Sequence, residues 1–404
     1  MDYRETLDYI HSLGFFSMPA TLDRMKKVLL ALGNPENSFK TIHIAGTNGK
    51  GSVSAMISSV LKTSGIKTGL FISPFIINFR ERIQINGEYI SEEDLCLFAE
   101  KVKNTNISLT EFEFITALAF LYFADKKIEV LVCETGLGGR LDATNATKNK
   151  IACVITKIGL DHTAILGDSI EKIAYEKCGI LRECPTISNP CQKEEALAVI
   201  KENAKELIVP DFNELEIMEN KFGNTYIYKG EKYTLNLSGD FQIENSLTAI
   251  EAVKNCGLDI SYEDIYNGLK NTNFPARMEI VSKNPIILID GAHNPDGASA
   301  LVKELKKLDG NVTAVVGMCR DKDYEEFLKA TLPLCKNAVV VEIENTPRTL
   351  SLEEIFESAS KYCETQKAKD YKSAIEIAKQ KSNKNPIFVF GSLYLASGIR
   401  PYLI

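Results

Sequence analysis

The stretch TIHIAGTNGKGSVS, Thr41–Ser54, constrains this chain more than any other. A β-branched run stops at two small residues, Gly46, Gly49 and Gly51 then surround Lys50, and Ser52 and Val53 open a helical pattern. Glycine costs backbone entropy, so three around one lysine mark a demanding backbone shape or a close approach. A strand, a glycine-rich loop with a lysine and then a helix form the layout of a phosphate cradle. Loop N–H groups and the helix N-terminus face an anion, and Lys50 adds a full charge. The spacing departs from the usual G-x-x-x-x-G-K-[ST], because no glycine stands six before Lys50 and Gly51 intervenes before Ser52. The plainer alternative is a glycine-rich turn.

The rest of the chain alternates apolar β-rich runs with helical patterns, which predicts α/β units around a largely parallel sheet. Strands are expected at Thr41–Ala45, Thr68–Ile72, Val130–Glu134 and Ala152–Lys157, and helices at Val53–Thr63, Glu92–Val102, Glu111–Lys126 and Ser169–Cys178. A β-rich excursion follows over Leu207–Leu237, with TYIYKGEKYTLNL reading as a hairpin, and a helix over Glu244–Cys256. The stretch NTNFPARMEI, Asn271–Ile280, reads as a linker. A second series of strands then begins, at Ile286–Asp290, Thr313–Gly317, Ala338–Ile343 and Pro386–Gly391. Two domains are expected, residues 1–272 and 273–404, with a linker about 273–284.

At 404 residues, 45% hydrophobic and 25% charged, the composition is globular. A net charge of −7 argues against wholesale nucleic-acid binding and leaves room for a local basic funnel. No apolar run is long enough to span a bilayer, and the acidic, amphipathic start MDYRETLDYIHSLG is unlike a secretory signal. The ten cysteines include no CxxC pair; Cys178, Cys184 and Cys191 are the closest group, with no histidines at zinc-finger spacing. Reduced thiols in a cytosolic protein are expected. With no coiled-coil pattern and no long apolar stripe, the expected state is a monomer.

GTNGKGS resembles the ATP loop of the Mur ligase superfamily, and its Gly-Ser ending resembles the folylpolyglutamate synthase/dihydrofolate synthase branch. Further blocks match in order: SPFIINFRERIQING (Ser73–Gly87), TEFEFITALAF (Thr110–Phe120), ETGLGGRLDATN (Glu134–Asn145), ITKIGLDHTAILGDSIEKIAYEKCGI (Ile155–Ile180), FPARMEI (Phe274–Ile280), LIDGAHNPDG (Leu288–Gly297) and GSLYLA (Gly391–Ala396). Each block alone is weak; the ordered set covers most of the chain. The part before Thr41 departs, with MPATLDRMK where many relatives carry a Gly-Leu-Glu-Arg-like run. The resemblance implies an N-terminal P-loop ATPase domain with a mainly parallel sheet and a smaller, Rossmann-like C-terminal domain.

Glu134 ends an apolar strand at a glycine-rich turn, where open α/β sheets place ligands; it reads equally as a Mg²⁺ ligand or a cap acceptor. His162 follows another strand, and a lone histidine is more often structural. Ser73, before Pro74, reads as a helix cap. The resemblance implies that Ser73, Glu134 and His162 hold a Mg²⁺ that bridges nucleotide phosphates. Lys177, near the end of an amphipathic helix, reads as a solvated or dipole-complementing cation. The resemblance implies instead that it is carbamylated and supports a second Mg²⁺ site, which requires a depressed lysine pKa.

By the same resemblance, Gly46, Thr47, Asn48, Gly49, Lys50, Gly51 and Ser52 bind ATP phosphates and Asn245 meets the adenine. Arg277 contacts the γ-phosphate as the domains close. Asp290 and His293 face the phosphate and the reacting carboxylate. Phe112, Asp142 and Ala143 line the pterin side, and Ser392 and Tyr394 lie near the incoming glutamate. Lys50, Lys177, Arg277, Asp290 and His293 are thus the expected catalytic set. Each also has a plain reading in capping, core packing or solvation.

The implied reaction is ATP-dependent addition of L-glutamate to dihydropteroate, to the γ-carboxylate of a reduced folate, or to both, through an acyl phosphate. The implied cofactors are ATP, Mg²⁺ at two sites and a monovalent cation. Two rivals stand beside it: a Mur-type ligase of cell-wall precursor synthesis, and a non-catalytic ATP-binding regulator.

Overall fold

The computed structural model describes residues 1–14, 18–218, 223–344 and 346–403, with residue 296 described by its backbone alone. Residues 219–222 of the expected β-rich excursion lie outside the described residues. The chain divides into two compact units: Met1–Glu216 with Tyr226–Thr234 and Glu244–Thr272, and Ile217–Thr225 with Leu235–Ile243 and Asn273–Ile404.

The first unit is built on an eight-stranded sheet. Its strands are β1 (Lys40–Ala45), β2 (Thr68–Phe71), β3 (Ile83–Ile85), β4 (Glu88–Tyr89), β5 (Val130–Glu134), β6 (Lys150–Ile155), β7 (Thr186–Ser188) and β8 (Leu207–Ile208). They lie in the order β4-β3-β2-β5-β1-β6-β7-β8. All pairings from β2 to β8 are parallel. The β3–β4 hairpin adds an antiparallel edge. β1 is central and flanked by β5 and β6, so the chain leaves its carboxyl end at a change of winding direction, where such sheets bind ligands. Burial on both faces explains the uninterrupted apolar runs of β1, β5 and β6. Phe114, Leu118 and Phe123 of helix Glu111–Asp125 pack against Phe71 and Leu131 on one face.

Three further strands, β9 (Leu215–Ile217), β10 (Asn224–Tyr228) and β11 (Glu231–Leu235), form a small sheet. The β10–β11 hairpin turns through Lys229 and Gly230, both at positive φ (52° and 77°), the signature of a two-residue hairpin turn.

The second unit carries a six-stranded sheet ordered β12-β13-β17-β14-β15-β16. Its strands are β12 (Glu279–Lys283), β13 (Ile286–Ile289), β14 (Thr313–Val316), β15 (Asn337–Val341), β16 (Glu364–Ala368) and β17 (Ile387–Phe390). Only β12 runs antiparallel to its neighbour. The segment read as a linker therefore becomes an edge strand from Glu279 onward. Among the described residues, no helix is long and apolar enough to cross a membrane.

Candidate active site

The opening glycines have two physical causes. A Cβ on Gly46 would stand 1.9 Å from Thr156 Oγ1, so the loop can pass β6 only without a side chain. Gly49 is left-handed at φ 88°, and a Cβ there would stand 2.4 Å from Asn245 Oδ1. Helix Lys50–Thr63 begins right after it, three residues before the expected start, and its N-cap makes no side-chain hydrogen bond. The first-turn N–H groups of a helix have no intrahelical acceptor and carry its positive end.

Thr47 and Asn48 play a different part from the one expected of their N–H groups. Both N–H groups donate to Lys157 O, at 2.9 and 3.1 Å, tying the loop to the segment after β6. Thr47 Oγ1 adds a bond to Gly159 O at 3.1 Å. The first-turn N–H groups of helix Lys50–Thr63 lie next to this tied loop.

Lys50 Nζ donates to Gly46 O (3.1 Å) and Thr47 O (3.2 Å). Lys177 Nζ donates to the same Gly46 O at 2.7 Å. Two amines from different helices converge on one carbonyl beside a helix N-terminus. Lys177 is 4% exposed, so the solvated-cation reading fails. Burial first, and the Lys50 ammonium second, push its pKa down to about 7.

Register places the other candidates around this point. Ile44 pairs with Glu134 and Ala45 with Ile155, so the loops after β1, β5 and β6 leave one edge of the sheet. Glu134 is buried and its Oε2 accepts from Ser73 N at 3.0 Å. A buried carboxylate beside a serine suits a hard cation that keeps much of its water. His162 is a left-handed residue (φ 50°) capping helix Thr163–Leu166, with its Nε2 3.9 Å from Asp161 Oδ1. Among the described residues, no three His, Cys, Asp or Glu side chains assemble a metal cage. Glu134 and Ser73 are brought together at the strand ends, and an oxygen pair of that kind suits Mg²⁺.

On the other side of β5, Phe112 packs on Gly136 and against Phe71, with ring centroids 6.0 Å apart. Asp142 is spent on the loop itself: Oδ2 accepts from Leu137 N (2.8 Å), and Oδ1 accepts from Thr144 N (3.0 Å) and from the Thr144 hydroxyl. Burial raises its pKa. Ala143 is buried within the short helix Asp142 caps. His43, on β1, was not foreseen in this chain of contacts. Its Nε2 lies 2.8 Å from Thr144 Oγ1, and burial keeps the ring neutral by lowering its pKa. Arg24, in the divergent N-terminal segment, also escaped notice. It grips Glu113 in the capping box that starts the Phe112 helix (3.0 and 3.1 Å from Nε).

In the second unit, Arg277 sits between two left-handed non-glycine residues, Ala276 (φ 54°) and Met278 (φ 52°). Such strain persists only where it is pinned. Asp290 pins it: Oδ2 accepts from Met278 N at 2.9 Å and Oδ1 from Ala292 N at 2.8 Å. Ala276 N donates to Glu279 Oε2 at 3.0 Å, and Arg400 clamps Glu279 from behind. Burial raises the Asp290 pKa and the Arg277 charge opposes that rise. His293 Nδ1 lies 3.0 Å from Gly291 O. Ser392 caps its helix by accepting from Tyr394 N at 3.1 Å. The Tyr394 hydroxyl accepts from Arg348 Nη2 at 2.6 Å, which adds an unforeseen guanidinium at that strand end.

Two family models match this architecture: the Mur ligase middle domain over residues 44–253, and the Mur ligase glutamate ligase domain over residues 276–393. The fold and these two matches define a Mur-type ligase. The chain is 33% identical to folylpolyglutamate synthase of Lacticaseibacillus casei, covering 100% of this chain and 99% of that protein. It is 34% identical to dihydrofolate synthase/folylpolyglutamate synthase of Bacillus subtilis (strain 168), covering 99% of each. The structure of E. coli FolC in complex with DHPP and ADP superposes with a TM-score of 0.88 at 28% identity, over 99% of this chain and 97% of that one. The chain belongs to the folylpolyglutamate synthase/dihydrofolate synthase family of ATP-dependent ligases.

Proposed function

We propose that this protein adds L-glutamate both to dihydropteroate and to the γ-carboxylate of reduced folates, using ATP. The observation that carries the reading is Lys50, folded back on Gly46 O and Thr47 O at the N-terminus of helix Lys50–Thr63. A polyphosphate is the anion that a helix N-terminus with a lysine beside it suits. The E. coli relative's complex with DHPP and ADP supports a pteroate-type acceptor alongside the nucleotide.

A carboxylate is a poor electrophile at neutral pH. Its oxygen attacks the γ-phosphorus of ATP, ADP leaves, and an acyl phosphate forms. The glutamate amine then attacks the acyl carbon, loses a proton, and phosphate departs from the tetrahedral intermediate. Lys50 and Arg277 offset the repulsion between the converging anions and stabilise charge on the transferring group. Asp290 holds the Arg277 loop in place, and His293 faces the reacting carboxylate. Asn245 meets the adenine. Phe112, Asp142 and Ala143 form the pterin side, with His43 and Thr144 holding Asp142 in position. Ser392 and Tyr394 bound the glutamate site. Ser73, Glu134 and His162 would hold Mg²⁺, which would supply charge neutralisation at the phosphates. The Lys177 amine adds to CO₂, sheds a proton and becomes a carbamate able to support a second Mg²⁺.

Phosphate release from ATP tests the reading, measured with dihydropteroate, tetrahydrofolate or a UDP-linked peptide precursor, each with and without L-glutamate. Release is expected with both pterins and only when glutamate is present. Release with the UDP-linked substrate alone, or with none, overturns it.

A further inference from the structure

We propose that Cys153 and Cys184 form a redox-modification site: a dithiol that low-molecular-weight disulfides oxidise to a protein disulfide, slowing the ligase. The two sulfurs lie 3.7 Å apart although 31 positions separate them in sequence. Cys153 lies on β6, fully buried, and Cys184 is half-buried at the entry to β7. The ladder fixes their approach, because Cys153 N donates to Pro185 O at 2.9 Å and Cys153 pairs in register with Thr186. All ten cysteines are free thiols, and these two sulfurs lie within hydrogen-bonding reach of each other.

Two cations, Lys150 and Arg182, stand near the pair. Lys150 Nζ donates to Ile180 O (2.8 Å) and Asn145 Oδ1 (2.7 Å), and Arg182 Nη2 donates to the same Asn145 Oδ1 (3.0 Å). Cys153 Sγ itself donates to Ile180 O at 3.3 Å. Sharing a proton with Cys184 lowers the Cys153 pKa, burial opposes that and the Lys150 charge adds to it, while the same shared proton and burial raise the Cys184 pKa.

The exchange is balanced. Cys184, the accessible sulfur, attacks a small disulfide while its proton passes by way of Cys153 to the departing sulfur, forming a mixed disulfide and expelling one small thiol. Cys153 then attacks the Cys184 sulfur and expels the second small thiol. Two protein thiols and one small disulfide thus give one protein disulfide and two small thiols.

Closure must shorten the sulfur separation from 3.7 Å to about 2.05 Å. It draws the Gly179–Cys184 segment onto β6. That segment directly follows helix Ile170–Cys178, whose Lys177 reaches Gly46 O. Asn145 Nδ2 also holds Gly179 O at 3.0 Å, so the pull is transmitted to the loop after β5. Displacement of a catalytic group by about 1 Å can cost about 100-fold in rate.

The test equilibrates the full-length protein in glutathione buffers of rising oxidised share. Non-reducing peptide mass mapping and phosphate release are read in parallel, with turnover of the fully reduced protein measured first. The expected result is a first disulfide joining Cys153 and Cys184, with turnover falling about ten-fold and returning with dithiothreitol. Cys184→Ser should keep basal turnover and lose the response, and Cys153→Ala should stop at the glutathione adduct. A first disulfide elsewhere, a persistent adduct at Cys184 with Cys153 free, or a closed disulfide with unchanged turnover each overturn the proposal. The slowing rests on the ligase reading. If the reduced protein is inactive, that reading fails, while the mass map still reports on the thiol pair.

Discussion

Lys177 should take up CO₂ at neutral pH where an ordinary lysine would not. Only the neutral amine reacts. With its pKa at about 7, about three-quarters of the amine is neutral at pH 7.5, against about one in a thousand for a solvated lysine. The sign follows from the direction of the shift. The folded pKa lies below the unfolded value of 10.5, so the unfolded chain binds more protons between about pH 7 and 10.5, and stability rises with pH across that window. Below it the burial cost is fully present, about 5 kcal/mol by the size of the shift. Replacing Lys177 by Met in CO₂-stripped buffer at pH 7 should therefore raise the denaturation midpoint while abolishing turnover. About 1 kcal/mol of the gain is lost with the hydrogen bond to Gly46 O. The gap should close as pH approaches 10. Bicarbonate should stabilise the native protein and not Lys177→Met, since only a ligand of the folded state shifts the equilibrium. The assay is chemical denaturation with and without bicarbonate, paired with ¹³C NMR in labelled bicarbonate at pH 8. No carbamate resonance, and no bicarbonate effect on stability, would refute the reasoning.

Three other perturbations follow from the same geometry. Gly49→Ala must put an L-residue in the left-handed region, at about 1–2 kcal/mol, and press on Asn245; its half-saturating ATP should rise about ten-fold, with far-UV circular dichroism unchanged. Arg277→Ala should lower the maximal rate more than it weakens ATP binding, because the proposed phosphate contact would strengthen late in the reaction; single-turnover kinetics separate the two, and weakened binding with an unchanged maximal rate would mark a ground-state contact. Glu134→Ala and His162→Ala should each raise the Mg²⁺ concentration needed for half-maximal rate, and unchanged Mg²⁺ dependence in both would remove them from the metal site.

The central strands of the first sheet were legible because their signals are local. β1 and β5 are short β-branched runs buried on both faces, and their ends fall within a residue of expectation. Helix Lys50–Thr63 starts earlier than read because Gly49 and Gly51, on either side of Lys50, carry loop propensity. Here the turn at Gly49 overrides that propensity. Edge strands hid for the opposite reason. β16, ETQKA, is half exposed and largely polar, and β12 starts inside a proline-containing turn region. What no spacing could disclose is contact between distant positions. His43 meets Thr144 at a separation of 101, Arg24 meets Glu113 at 89, and Lys177 meets Gly46 at 131. Lys177 also shows how burial reverses a surface reading. Its helix face is amphipathic enough to suggest a solvated cation, and the fold turns that face onto the loop.

An oxygen-transfer experiment reaches the chemistry most directly. Dihydropteroate labelled with ¹⁸O at both carboxylate oxygens is turned over with ATP and L-glutamate, and the released phosphate is analysed by mass spectrometry. An acyl phosphate requires the attacking carboxylate oxygen to leave with phosphorus, so each phosphate should carry one ¹⁸O and each new amide should keep the other. Labelled amide product accompanied by wholly unlabelled phosphate would contradict carboxylate activation by phosphoryl transfer.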